Sequence, residues 1–348
     1  MPFTAQEIDN IATAALDYYM RGPAMAQTIQ ERPLYNAMKA AQKTFPGGKG
    51  NITRNVKGSF STSFQGYTHD DTVSYVNPAN LKPVSYPWKE LHAGIAMTMT
   101  ELKTAGISVV DSMNGESTTQ HSGMELTAIT NLLDDKLDDM AEGSARSFNE
   151  ILWRDGTQSS KVFAGVQSII TTSPTTGVTG GIDRATNSWW RNRALVGASK
   201  VTASASNQTL SKALRAEVRQ LRRYGGRPSL LLCGSSFLEN LELEVQEKGY
   251  YSMSGFTNKG QTDIGLAAIS MRGVGEFQYD PTLDDLGYSK FCYFIDPKHV
   301  YLDVMDGEDW KQHNPARPPE KYVLYRGLTW TGGLLADQLN CHGVYEVA

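Results

Sequence analysis

From Asn51 onward the apolar residues of this chain fall on one side of an extended segment. Ile52, Val56, Phe60 and Phe64 share that side, and Asn55, Lys57, Ser59, Ser61 and Ser63 lie on the other. Such alternation predicts a strand with a single apolar face. A polar stretch over 65–71 and a short strand over 73–76 follow. The returning segment carries Val84, Tyr86 and Trp88, interrupted by Pro83 and Pro87. Proline cannot donate to a ladder, so these positions belong to an edge or a free-standing ribbon. Together they predict a long hairpin over 51–91 with no third strand nearby in sequence. A lone two-stranded ribbon is marginal in water. Its apolar side is therefore expected to be covered by something outside its own chain, and another subunit is the natural candidate.

The run Pro46-Gly47-Gly48-Lys49-Gly50 separates this hairpin from a helical region over 1–50. There Thr4 and Glu7 have capping-box spacing ahead of Ile8, Ile11, Ala12, Ala15, Leu16 and Tyr19. A second short helix over 33–43 presents Leu34, Met38 and Ala41. Farther on, Ser122 and Glu125 cap a helix over 123–155, which at ~1.5 Å per residue would span about 50 Å. Its stripe is Leu126, Ile129, Leu133, Leu137, Met140, Phe148, Ile151 and Leu152, with Gly156 as the stop. After Lys161 the pattern becomes mixed α/β. A strand is expected over 162–170, a loop over 171–192, and a helix over 211–224. Leu230, Leu231, Leu232 and Cys233 suit a strand buried on both faces. A helix from Ser236 follows, then short strands over 267–271, 290–295 and 300–304, and alternating strands over 321–347.

Composition excludes several classes. With 348 residues the chain holds one large or two moderate domains, and a formal net charge of −4 lacks the basic balance of a dedicated nucleic-acid binder. Cys233, Cys292 and Cys341 lie far apart without a CxxC pair, so neither a zinc site nor a disulfide framework is indicated. No leader and no membrane-length apolar run is present. The six histidines form no HExxH pattern, Gly177, Gly180 and Gly181 make no phosphate-binding pattern and read better as a flexible loop, and Ser235 lies outside any GxSxG. Neither enzyme activity, nor a cofactor, nor a metal is expected.

Several local strings, in order, resemble the major capsid proteins of tailed phages, with the Hong Kong 97-type (HK97-like) fold. They are Tyr86-Pro87-Trp88-Lys89-Glu90-Leu91-His92-Ala93-Gly94, Gly180-Gly181-Ile182-Asp183-Arg184 with Trp189-Trp190-Arg191-Asn192, Leu232-Cys233-Gly234-Ser235, and Trp330-Thr331-Gly332-Gly333-Leu334 with Gly343-Val344-Tyr345. The resemblance implies an α+β chain with an N-terminal arm (1–50), an extended hairpin loop (51–91), a peripheral domain with a spine helix (92–161 and 321–348) and an axial domain (162–320). It implies self-assembly through pentamers and hexamers into an icosahedral head shell around double-stranded DNA, formed in the host bacterial cytoplasm and retained in the virion. The implied partners are further copies of the chain, a portal and packaged DNA in weak or local contact, with no membrane. Only about fifty residues precede the hairpin, so a separate scaffolding protein or a prior cleavage is also implied. No Lys–Asn pair for covalent cross-linking is identifiable; Lys89 and Asn192 are merely available.

On this reading Ile52, Val56, Phe60, Phe64, Tyr86 and Trp88 are candidate inter-subunit contacts of the hairpin. Base stacking is the other use of such aromatics, but interleaved basic residues are lacking. Asp134, Asp135, Asp138 and Asp139, with Glu142, form either a solvated helix face or a contact for a basic neighbour or a cation. Arg215, Arg219, Arg222 and Arg223 complement a helix C-terminus, meet another subunit, or touch DNA. Two other classes remain open here: an encapsulin-like nanocompartment shell of the same fold, and a metabolic α/β enzyme built on the 230–233 strand.

Overall fold

The computed structural model describes residues 30–78, 80–98, 100, 123–204, 206–247, 269–271, 274–313 and 323–348. The helix expected around Thr4 to Tyr19 lies outside them. The first described helix, α1 (Pro33–Ala40), carries proline in its first turn, where the missing N–H costs nothing. No neighbouring side chain caps it. Instead Asn149 Oδ1 accepts from Tyr35 N at 3.1 Å, and Asp280 accepts from Leu34 N. Leu34 and Met38, one turn apart, are fully buried. The helix expected to reach residue 43 stops at Ala40. Residues from Lys43 form a strand, β1 (Lys43–Phe45), because they pair in parallel with β12 (Val300–Met305).

The hairpin is β2 (Asn51–Lys57) against β3 (Leu81–Pro87), antiparallel from Asn51 opposite Pro87 to Lys57 opposite Leu81. The strand expected to run on to Phe64, and the one over 73–76, do not form. The ladder ends where Gly58 lies against Trp189, so closely that a Cβ would stand 2.1 Å from the indole. Beyond that point the described residues form no further ladder pair, although Asn80 Nδ2 donates to Ser59 O at 2.6 Å.

Next come β4 (Lys89–Thr98) and α2 (Gly123–Trp153), whose 31 residues make a rod of about 46 Å. Met140, Phe148 and Leu152 of its expected stripe are buried and Ile151 is half-buried. Ser122 and the side chains of Leu126, Ile129, Leu133 and Leu137 lie outside the described residues. The strand expected over 162–170 is instead a short helix, α3 (Val166–Ile169). Gly165 explains the change. Its N–H donates to Arg154 O at 2.9 Å, and a Cβ there would stand 2.2 Å from Leu152 O. The segment is thus packed onto the end of α2 and is not free to join a sheet.

The remaining elements are β5 (Val178–Thr179), β6 (Ile182–Asp183), β7 (Arg193–Leu195), α4 (Thr209–Arg222), β8 (Leu230–Cys233), α5 (Ser235–Glu247), β9 (Ser270–Met271), β10 (Gly275–Tyr279), α6 (Pro281–Asp285), β11 (Phe291–Ile295), β13 (Lys311–His313), β14 (Val323–Ala336) and β15 (Gly343–Glu346). One sheet has the order β1-β12-β14-β13, with β4 also on β14. A six-stranded sheet has the order β7-β15-β11-β8-β10-β9. The chain's last strand thus lies inside the sheet built by residues 193–295.

The chain divides into two compact units. The smaller takes its described residues from Gln30, Ala93–Ala145 and Gln312–Leu328, and the larger from Glu31–His92, Arg146–Lys311 and Thr329–Ala348. In the larger unit the six-stranded sheet is covered on both faces, as the apolar run 230–233 predicts. Leu231, Cys233, Cys292 and Phe294 point to a cluster with Leu210, Leu214, Val218 and Leu221 of α4 and Phe237 and Leu241 of α5. Leu230, Leu232, Tyr293 and Ile295 point the other way, into a cluster with Trp153, Ile169, Trp190 and Trp330. Each fully buried large apolar side chain contributes roughly 1.5–3 kcal/mol.

Candidate assembly surface

The site begins at the hairpin root, which the larger unit itself buries. Ile52 and Val56 of β2 and Val84 and Tyr86 of β3 are all core residues. This corrects the expectation that the apolar side of the ribbon has no cover of its own: along β2 and β3 the covering surface comes from the same chain. Tyr86 donates its hydroxyl to Ala336 O at 3.2 Å, and burial pushes the phenol's pKa up. Ser85 N donates to Gly180 O at 3.0 Å. Gly180, with φ +59, brings its backbone so near that a Cβ would stand 2.2 Å from Val84 Cγ1. At the edge Arg54 pairs with the buried Asp303 at 2.8 Å, and Lys82 donates to Asn187 Oδ1 at 2.7 Å. Trp88 is half-buried and donates Nε1–H to Lys49 O at 2.6 Å.

The ledge under the root is held by Arg184. Arg184 is 1% exposed and its guanidinium pairs with no carboxylate among the described residues; it donates to Thr179 Oγ1 (2.9 Å), Thr171 Oγ1 (3.0 Å), Asn192 Oδ1 (2.8 Å), Ser168 O (3.3 Å) and Ile169 O (2.6 Å). Burial pulls its pKa down to about 10, which leaves it charged at neutral pH. Arg191 Nε in turn donates to Arg184 O at 2.6 Å, and Trp190 Nε1 to Thr179 O at 3.0 Å. The glycine-rich segment expected to be a flexible loop is therefore a pinned turn. Asn192, available on paper for cross-linking, is 3% exposed and spends its amide on Thr171 O and Arg193 O.

Beyond the root the picture reverses. Residues 58–78 carry no helix or strand, and Phe60 is 82% exposed, Phe64 109% and Tyr75 94%, with Tyr67, Val73, Val76 and Leu81 also open. Exposed aromatics in such a run make it a candidate interaction surface, since the isolated chain buries none of them. Of the six hairpin residues anticipated as contacts, Ile52, Val56 and Tyr86 are buried in the core, Trp88 is half-buried, and Phe60 and Phe64 are free to meet a partner. Tyr67 stands alone among polar residues, without alternation, and Tyr75 falls in the 73–76 segment, whose pattern reads as a strand and not as a contact.

Arg215, Arg219, Arg222 and Arg223 all lie exposed on or just past α4. Arg215, Arg219 and Arg222 rim a groove of about 490 Å³ floored by Val218, Leu241 and Phe277; Arg223 lies outside it. At the other end of α4, the buried Glu244 accepts from Leu210 N and Ser211 N, both at 2.9 Å. Burial alone would raise this carboxyl, but the hydrogen bonds from Ser211, Leu210 and Ser204 hold it below the usual range. Asp138 and Asp139 are exposed on α2; the side chains of Asp134 and Asp135 lie outside the described residues. Among the described residues no group of three or more His, Cys, Asp or Glu could hold a metal ion.

No family model matches the chain, and no curated protein does. Solved structures do. The chain is similar to the cyanophage A-1(L) capsid asymmetric unit (15% identity, 93% of this chain and 95% of that one, TM-score 0.64). It is also similar to the capsid of cyanophage P-SCSP1u (11%, 94% and 91%, TM-score 0.56) and to the capsid of a native GTA particle (14%, 97% and 98%, TM-score 0.53). The α+β fold is therefore the one shared by these capsid structures, the HK97-like fold anticipated from the strings above.

Proposed function

We propose that this chain is a major capsid protein, a structural subunit that assembles with copies of itself into the icosahedral shell of a tailed phage and remains in the virion. The observation that carries the reading is a capsid fold whose hairpin is anchored at the root and bears uncovered aromatics beyond it. Buried pairing and the Arg54–Asp303 ion pair fix the direction in which the ribbon leaves the subunit. Phe60, Phe64, Tyr67 and Tyr75 then supply the apolar area that only a neighbour can cover, at roughly 25 cal/mol per Å². Contacts repeated head-to-tail around rotation axes close into rings and then a shell. In this scheme residues 1–50 form the arm, 51–91 the extended loop, 92–161 and 321–348 the peripheral domain with α2 as spine, and 162–320 the axial domain, whose sheet the last strand of the chain, β15, re-enters. The exposed arginines of α4 and the acidic face of α2 serve subunit contacts. A scaffolding protein, a portal and weakly held DNA complete the partners, and assembly takes place in the host cytoplasm. The similar structures are phage and GTA capsids, which favours a phage shell over an encapsulin-like compartment.

The test replaces residues 58–80 with an Asn-Gly turn, a loop that two paired strands accept. The subunit should stay soluble and folded yet give no closed particles in negative-stain micrographs. Shells of normal size and number would overturn the role given to the loop.

A further inference from the structure

Cys233 and Cys292, distant in sequence, face one another at the centre of the six-stranded sheet. β8 and β11 run antiparallel with these two residues directly opposite. Gly234 N donates to Phe291 O at 3.0 Å, a bond that flanks the pair and does not join it. The Cys233 carbonyl turns the other way, accepting from Asp280 N at 3.1 Å on the β10 side. The cysteines are thus a non-hydrogen-bonded pair, the narrow kind, with Cα atoms roughly 4.5 Å apart. Opposed residues project from the same sheet face, so the two thiols share one apolar cluster, where Cys233 Sγ–H donates to Gln278 O at 3.4 Å. A disulfide requires a Cα separation of about 4.4–6.8 Å, so this pair can be joined without moving the backbone. Both are free thiols, fully buried under α4 and α5. Cys341 is separate, its Sγ lying 3.2 Å from His342 Nε2.

We infer that Cys233 and Cys292 form a latent cross-strand disulfide, a modification site for a small peroxide oxidant. One thiolate attacks an oxygen of hydrogen peroxide; the O–O bond breaks, hydroxide leaves, and a sulfenic acid forms. The second sulfur attacks that sulfenic sulfur, the S–S bond forms, and the departing hydroxide takes up the remaining proton as water. In sum, two thiols lose two electrons and two protons, and one peroxide becomes two waters. The neighbouring thiol stands ready to resolve the sulfenic acid before it oxidises further. Burial pushes the Cys292 thiol well up, so thiolate is scarce and the reaction is slow in the closed sheet. The bond would tie together the two central strands. It concerns the subunit alone and does not depend on the assembly reading.

The experiment treats the purified full-length chain, freed of reductant, with hydrogen peroxide, then unfolds and alkylates it for peptide mass spectrometry. The expected product has lost two hydrogens, links the Cys233 and Cys292 peptides, and carries alkyl on Cys341. Its urea midpoint should lie above that of the reduced chain and return on adding dithiothreitol. Cys233→Ser and Cys292→Ala should each abolish the linked peptide and the midpoint gain. A destabilised variant leaves the wild-type mapping as the deciding measurement. Thiols at both positions that stay fully alkylatable, sulfinic acids in place of the bond, or a bond to Cys341 would each overturn the inference.

Discussion

The root of the hairpin and its outer part come from one alternating segment, yet Ile52 and Val56 are 6% exposed while Phe60 and Phe64 stand at 82% and 109%. The pattern of side chains does not change at Lys57; the available covering surface does. Below Gly58 the ribbon lies on Gly180, Ala336 and Asp303, which bury it, pair with it and neutralise it. Above Gly58 residues 59–78 all stand exposed. The comparison teaches that alternation encodes which side of a strand will be buried and is silent on who buries it. In the proposed shell this division would be useful: a root owned by the chain would fix direction, and an unowned extension would supply adhesion.

Tyr86→Ala should break the root most severely. Removing a buried aromatic and its hydroxyl bond to Ala336 O should cost about 3–5 kcal/mol in urea unfolding. Should the loss be negligible, the root is not owned by the subunit. Gly180→Ala should come next, at about 1–3 kcal/mol, since the new Cβ meets Val84 and the backbone is left-handed there.

A smaller effect concerns the ledge at Asp337, next to Ala336. His299 Nδ1 lies 2.8 Å from Asp337 Oδ1, and that hydrogen bond raises the histidine's pKa above 6.5 against the opposing effects of burial and Lys43. A raised pKa means the stabilisation is fully present below about 6.5, the unfolded value, and is lost as pH rises through the folded one. Both partners are partly exposed, so the gain should be only ~0.2–1 kcal/mol. Wild-type minus His299→Gln stability, measured from pH 5 to pH 9 (about the range that spans both forms), should shrink with rising pH. A difference flat in pH would remove the titration from the account.

The smallest effect on the isolated subunit sharpens the contrast. Phe60→Ser with Phe64→Ser should leave unfolding within about ±0.5 kcal/mol of wild type while particle yield collapses. A large loss of monomer stability would show that the outer part, too, is covered by its own chain.

Elements whose signals are local were legible beforehand. Residues 123–153 read as a long helix because the apolar stripe and the stop at Gly156 lie within a few residues of one another, and 230–233 read as a doubly buried strand because every position is apolar. The segment over 162–170 was misread for the opposite reason. Its apolar run suits a strand, and only the close approach of Gly165 to the end of α2 turns it into a helix. Arg184 was visible as part of a string, but nothing in that string says that a buried guanidinium will be satisfied by neutral acceptors gathered from residues 168 to 192. The cysteines were read as too far apart to matter. Strand register alone sets Cys233 opposite Cys292.

What this sequence by itself determined is therefore period, face and punctuation: where the chain is helical or extended, which side is apolar, and where it must turn. Tertiary structure alone decided the pairings across long separations — Asn149 and Asp280 capping α1, Gly180 beneath Val84, Cys233 against Cys292 — and the point along the hairpin where self-burial stops. The reason is physical. Backbone propensity and side-chain alternation are set by neighbours within a turn or two, whereas register and cover depend on which distant surfaces meet, and a linear pattern carries no coordinate for that.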